Sequence, residues 1–184
     1  GDLTLRSTGS VTQSAGALGV KGVTTVDATQ GDVKLTQAGN DFGTLTLNTQ
    51  AAQVTDRGGF TLKSSTVNSL DVQSDGLLTL AGATVTGDAK LVSGSLTQTA
   101  GPLAVGGQLK VTATGADGMV LTQAGNQLGD LLVTSAGQAQ ISTDAAVVKA
   151  DVMQVKGAAV LNTSKATSLS LQAGTFQGQS LSFQ

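Results

Sequence analysis

The sequence predicts an all-β chain wound into a single parallel β-helix, about eight coils with three short strands in each. Three observations lead there. Apolar and small polar residues alternate in runs of four to six; one long unit occurs about twice; and aromatic residues make up only 2% of the chain. Alternation of period two is the pattern of strands with one buried and one wet face. A long internal repeat marks a stacked array rather than a closed sandwich. With only Phe42, Phe60, Phe176 and Phe183 as aromatics, the interior has to be narrow and filled by Leu, Val, Ile and Ala.

In chain order the clearest runs are LTLRS from Leu3, VKLTQ from Val33, TLTLNT from Thr44, FTLKSS from Phe60 and SLDVQS from Ser69. LLTL from Leu77, AKLVS from Ala89, QLKVTA from Gln108, SLSLQA from Ser168 and SLSFQ from Ser180 follow. Each stops at GD, AGN, GG, SDG or a similar turn signal. About 23 such runs fit the chain, or about 8 residues for a strand and its turn. Three strands then make a coil of about 24 residues, and eight coils a rod about 40 Å long. No stretch shows a helical period, Glu is absent, and β-branched residues sit between turn formers. The turns are varied rather than the Asn-Gly pairs that tight hairpins prefer. Leu45 and Leu47, Leu70 and Val72, Leu109 and Val111, and Leu169 and Leu171 should all point inward.

The hexapeptide LTQAGN occurs at Leu35–Asn40 and again at Leu121–Asn126, 86 residues apart. Around it, SVTQSAGALGVKG from Ser10 matches SLTQTAGPLAVGG from Ser95, and GDLTLRS from Gly1 matches GDAKLVS from Gly87. AQVTD from Ala52 resembles AQISTD from Ala139, and TFQGQSLSF from Thr175 echoes TVTGDAKLV from Thr84. The chain therefore reads as one continuous solenoid, 1–184, with internal repeats 1–86 and 87–177 and the start of a third at 178–184. It reads as a piece of something longer. If the repeat spans four whole coils, Asn40 and Asn126 share one corner of the rod.

Composition excludes whole classes of chemistry. There is no His, Cys, Trp or Tyr, so no Ser-His-Asp triad, cysteine nucleophile or ordinary zinc site can be assembled. A net charge of −2 without a basic run or stacking aromatics disfavours nucleic acid. No apolar run is long enough for a transmembrane helix. The aspartates, including the pairs Asp71 with Asp75 and Asp27 with Asp32, lack a calcium-loop spacing and read as solvated turn residues. No enzyme activity, cofactor or metal is expected. In LTQAGN, Gly39 and Gly125 suit a bend with left-handed backbone, while Asn40 and Asn126 suit the bonding of free backbone groups. These four read as structural turns rather than a binding loop.

The order GDLTLRSTGSVTQSAGALGV, then GDVKLTQAGNDFGTLTLN, resembles the long repeats of filamentous haemagglutinin-type exoproteins, large bacterial surface adhesins. AGNDFG at Ala38–Gly43 is the most family-like piece; the second copy reads AGNQLG, so Asp41 and Phe42 are not required in every copy. The resemblance implies a right-handed parallel β-helix, export from a Gram-negative cell to the medium or cell surface, often by two-partner secretion, and a stalk that displays adhesive regions.

Two function classes follow. One is a structural stalk whose partners are the neighbouring coils of the same polypeptide. The other is a face that itself binds host-cell or matrix glycans or a receptor. End-to-end or lateral self-association into an extracellular fibre is a third possibility, because a solenoid edge presents unpaired strands. Scarce aromatics favour the stalk.

Overall fold

Alternating side chains give strands only if something covers their apolar face, and here each strand is covered by the rest of its own coil. The computed structural model describes residues 1–172 and 176–184; residues 173–175, within the second repeat and at the start of the Thr175 echo, lie outside them. Among the described residues there is no helix, and all 18 strands join in one sheet. Every pairing among them is parallel, each strand bonding to the strand about one coil later, which is a β-solenoid.

One side of the rod, called side A here, can be followed rung by rung. Leu3 pairs with Thr24, Thr24 with Leu45, Leu45 with Leu62 and Leu62 with Leu80. On the same strand Leu78 continues to Leu96, Met119, Ala139, Ala159 and Leu181. Nine steps separate strand Leu3–Arg6 from strand Ser180–Phe183, so the chain makes about nine turns. That is one turn more than the spacing of the runs predicts. The coils are shorter because several runs fuse through their corners: Asp41–Asp56 is one 16-residue strand and Phe60–Ser74 one of 15. Side B carries Val11, Val33, Ala52, Leu70, Ala89, Leu109, Leu131 and Ala150 in register. A shorter third side closes each coil.

The interior is a single apolar column. Leu45, Leu47, Leu62, Leu80, Leu91, Leu109, Val111, Leu121 and Leu131 are all fully buried in it. Within it Phe42 and Phe60 meet edge to face at 6.4 Å. Six of the eight residues expected inside, Leu45, Leu47, Leu70, Val72, Leu109 and Val111, are inside. Leu169 and Leu171 point the same way as the buried Val148 and Ala150 they pair with, but are 37% and 46% exposed. Among the described residues their strand, Ser168–Leu171, pairs on one edge only, with Val147–Val155, so no paired coil covers the other side of its leucines.

Turn length varies with the corner. The step from Thr44 to its partner Thr61 is short, and the step from Leu96 to its partner Met119 is long. This variation decides where the two repeats sit.

Candidate functional site: the amide joints between coils

Following strand Val33–Leu35 along side B, Leu35 pairs with Val54, Val54 with Val72, Val72 with Leu91 and Leu91 with Val111. Four whole turns above Leu35 therefore stands Val111. Leu121 lies ten residues further, paired with Ile141, on strand Met119–Leu121 of side A, whose Met119 pairs with Leu96. The expectation of a shared corner fails, because these four coils together fall ten residues short of the repeat. The repeat is four turns plus one side. The second copy is the first rotated by that side.

The displaced bulge shows the same shift. In the first copy the ladder slips between Val20 and Val23 as the chain enters side A. In the second it slips between Val105 and Gln108 as the chain enters side B. In each case an aspartate one coil earlier accepts the bulge N–H: Asp2 from Val23 and Asp88 from Gln108, both at 2.8 Å.

Despite the rotation, both copies build one and the same joint. The Asn40 side chain is fully buried and faces Gln13 of the preceding coil. Gln13 Nε2 donates to Asn40 Oδ1 at 2.7 Å, and Asn40 Nδ2 donates back to Gln13 Oε1 at 2.9 Å. The remaining capacity goes to backbone: Leu18 N–H donates to Asn40 Oδ1, and Asn40 Nδ2 donates to the Leu35 carbonyl. Gln13 Nε2 also donates to the Gly16 carbonyl, tightening its own turn. At the second joint Gln98 and Asn126 exchange the corresponding bonds at 2.8 and 3.0 Å. Leu103 N–H, the Leu121 carbonyl and the Gly101 carbonyl take the places of Leu18, Leu35 and Gly16. A buried amide is costly unless its donors and acceptors are met; here they are met from two coils at once. The Asn40 and Asn126 carbonyls then accept from Arg57 and Asp144 of the following coil, so each asparagine ties three successive coils.

The glycines divide differently from the sequence reading. Gly125 has φ of +85°, the left-handed bend expected of it, but Gly39 is not in that region. The left-handed glycines common to both copies are Gly16 (+74°) and Gly101 (+66°), on the glutamine side of the joint. A side chain at Gly39 meets Ala17 Cβ at 3.0 Å, so that position is restricted by room rather than by φ.

A further pair lay outside the sequence reading. Asp56, buried, accepts Phe42 N–H at 2.8 Å and Gly58 N–H at 2.9 Å. In the second copy Thr143 Oγ1 accepts Leu128 and Ala145 N–H in the same places. Thr143, rather than the Asp144 that the alignment of AQVTD with AQISTD suggests, is the counterpart of Asp56. The signal for Gln13 and Gln98 was present, since both lie in the matched SVTQSAG and SLTQTAG segments. What was missing was a reason to pair each with an asparagine more than one coil further along.

Apart from the buried Asp56, the charged groups are on the outside. Asp41 receives both Lys21 and Arg57, from the coils before and after it. The hydrogen bond from Lys21, and then that from Arg57, holds its carboxyl below the ordinary aspartate value. Lys165 lowers Asp144 in the same way, and Asp151 first, with Asp130 behind it, raises Lys149. Asp71 is held by Lys90, and Asp27 accepts from Asn48. Among the described residues no three carboxylates converge as a metal group would need.

No curated protein and no solved structure matches the chain. A family model described as repeats of unknown function (DUF5649) matches residues 1–49 and 67–135, more than half the chain. Each matched segment holds one complete joint, Gln13 with Asn40 or Gln98 with Asn126. The ends of the two segments, at 49 and 135, are separated by one repeat. The repeat that the sequence displays and the matched family unit keep the same phase: the chain belongs to the family of DUF5649 repeats.

Proposed function

We propose that the chain is a structural stalk segment of a secreted or cell-surface bacterial adhesin, without catalysis of its own. The observation that carries this reading is the pair of joints. Two amide pairs, each closed around a fully buried asparagine, are spent on holding coil to coil rather than on facing solvent. A continuous apolar column and parallel ladders throughout serve the same end, since a solenoid gains stability by stacking each unit on the next. The adhesin and its export from a Gram-negative cell are supported by the likeness of the GDLTLRS and AGNDFG segments to filamentous haemagglutinin-type repeats.

Three experiments test the reading. Under force, the chain pulled from its ends should unfold in steps of about one coil or a few coils, and native protein should resist proteolysis at the Gln13–Asn40 and Gln98–Asn126 corners. Early cleavage at those corners would show that the joints do not hold the coils together. Antibody against the chain should label intact cells that make the parent polypeptide; labelling only after lysis removes the surface location.

A further inference from the structure

We propose that the outer face of side B binds a linear polysaccharide whose sugars carry carboxylates, laid along the rod axis. This goes beyond the stalk reading and does not depend on it. Outward from the column, the ladder Lys34, Gln53, Asp71, Lys90, Lys110 runs in register over four turns, about 19 Å. It forms the floor of an open groove of about 420 Å³ with Asp32 and Asp88 along one edge. A smaller depression of about 200 Å³ continues it past Gln53, Asp71 and Lys90.

Of the acids of this groove Asp71 and Asp88 are engaged while the exposed Asp32 has no ion-pair partner among the described residues, and of its bases two have none. Asp71 is held by Lys90 at 3.1 Å, and Asp88 accepts the Gln108 N–H. Lys34 and Lys110, both exposed, have no carboxylate within ion-pair distance among the described residues. They stand at the two ends of the groove and call for carboxylates at separated points of one long ligand. Asp32 beside Lys34, and the acids between the two lysines, accept hydrogen bonds, which sugar hydroxyls donate and an acidic peptide mostly cannot. A peptide is further disfavoured because the backbone of this face is already used in the ladders, so no strand can be added there. An extended pyranose chain also repeats at close to one rung, keeping successive sugars in step with successive side chains. With no aromatic in the groove to stack on sugar rings, charge carries the affinity, and salt screens it.

The test uses the whole chain and a linear polyuronate oligomer of about ten sugars at low ionic strength, followed by calorimetry. Binding is expected that weakens in high salt and is absent for the uncharged oligomer of the same backbone. K34Q/K110Q should weaken it more than tenfold, about fivefold per lysine, as for exposed ion pairs. R6Q/K63Q removes the same charge from residues outside the groove, which also lack a carboxylate partner among the described residues, and should change binding less than twofold. Independently of any variant, the oligomer should slow acetylation of Lys34 and Lys110 but not of Lys63. No binding at millimolar oligomer, equal loss in both double variants, equal protection of Lys63, or equal binding of polyglutamate would each overturn the proposal.

Discussion

The first and second joints make the same bonds with the same residues on different sides of the rod, and they differ in how dry they are. Gln13 is half-buried, whereas Gln98 is buried, and Asn126 Nδ2 has an extra bond to the Ser142 carbonyl that Asn40 lacks. The side of the solenoid therefore does not define the joint. What defines it is a glutamine at or just past the end of one strand and an asparagine on the coil above, with two backbone groups within reach of each. A rotated copy works because the coil's sides are alike enough in width for the two turns to stack at either corner.

The largest test of this likeness is removal of the asparagines. N126A strands the Gln98 amide, the Leu103 N–H and two carbonyls in a dry place, and should cost about 3–5 kcal/mol in denaturant unfolding. N40A should cost about 2–4 kcal/mol, since water reaches the half-buried Gln13 and replaces part of what is lost. A larger loss for N40A breaks the ordering by dryness. Next is the coupling within a joint. A double-mutant cycle of Q98A with N126A should return an interaction of about 1–3 kcal/mol, and Q13A with N40A less; no coupling in either says the amides act separately.

The glycines give a smaller contrast. G125A forces a left-handed backbone on alanine and should cost about 1–2 kcal/mol, while G39A, with ordinary φ and one close neighbour, should cost under about 1 kcal/mol. Equal melting shifts would show that room rather than φ decides both.

The smallest effect concerns charge, which the copies do not share. Asp41 lies between Lys21 and Arg57, but Gln127 stands at its place in the second copy. A carboxyl held below its ordinary value stabilises fully above that ordinary value, near 3.8, and its contribution is lost as pH falls through the lowered one. Acidification below about pH 4 should therefore loosen the first joint through Asp41, and D41N should remove that part of the pH dependence. Hydrogen exchange at Asp41–Leu47 and Gln127–Val133 checks this. If the second segment opens equally and D41N alters neither, the ion triad contributes nothing measurable.

Much of the fold was legible because it depends on local alternation. Leu45, Leu47, Val72 and Val111 announce their direction through their own neighbours, and the Leu-Thr-Leu, Leu-Asp-Val and Leu-Lys-Val runs around them suffice. The phase of repeat against coil was not legible, because it accumulates from corners whose lengths differ from one coil to the next. An error of two or three residues per coil amounts to one side after four coils. Leu169 and Leu171 have the right alternation and point the same way as the buried Val148 and Ala150 they pair with, yet stay exposed, since alternation cannot say whether a coil lies above. At the joints, the importance of Asn40 and Asn126 could be read from their recurrence. Gln13 and Gln98 could not be assigned to them without knowing which residues one turn apart come to touch.

The rotation of the second copy by one side has a mechanical consequence. Were every repeat on one corner, the stiff amide pairs would form a seam, and the rod would fold most easily about the line opposite it. Advancing one side at each repeat distributes the seam around the axis, like staggered mortar in a round chimney. Only after three repeats does a joint stand directly above an earlier one. A chain of such repeats resists bending alike in every direction.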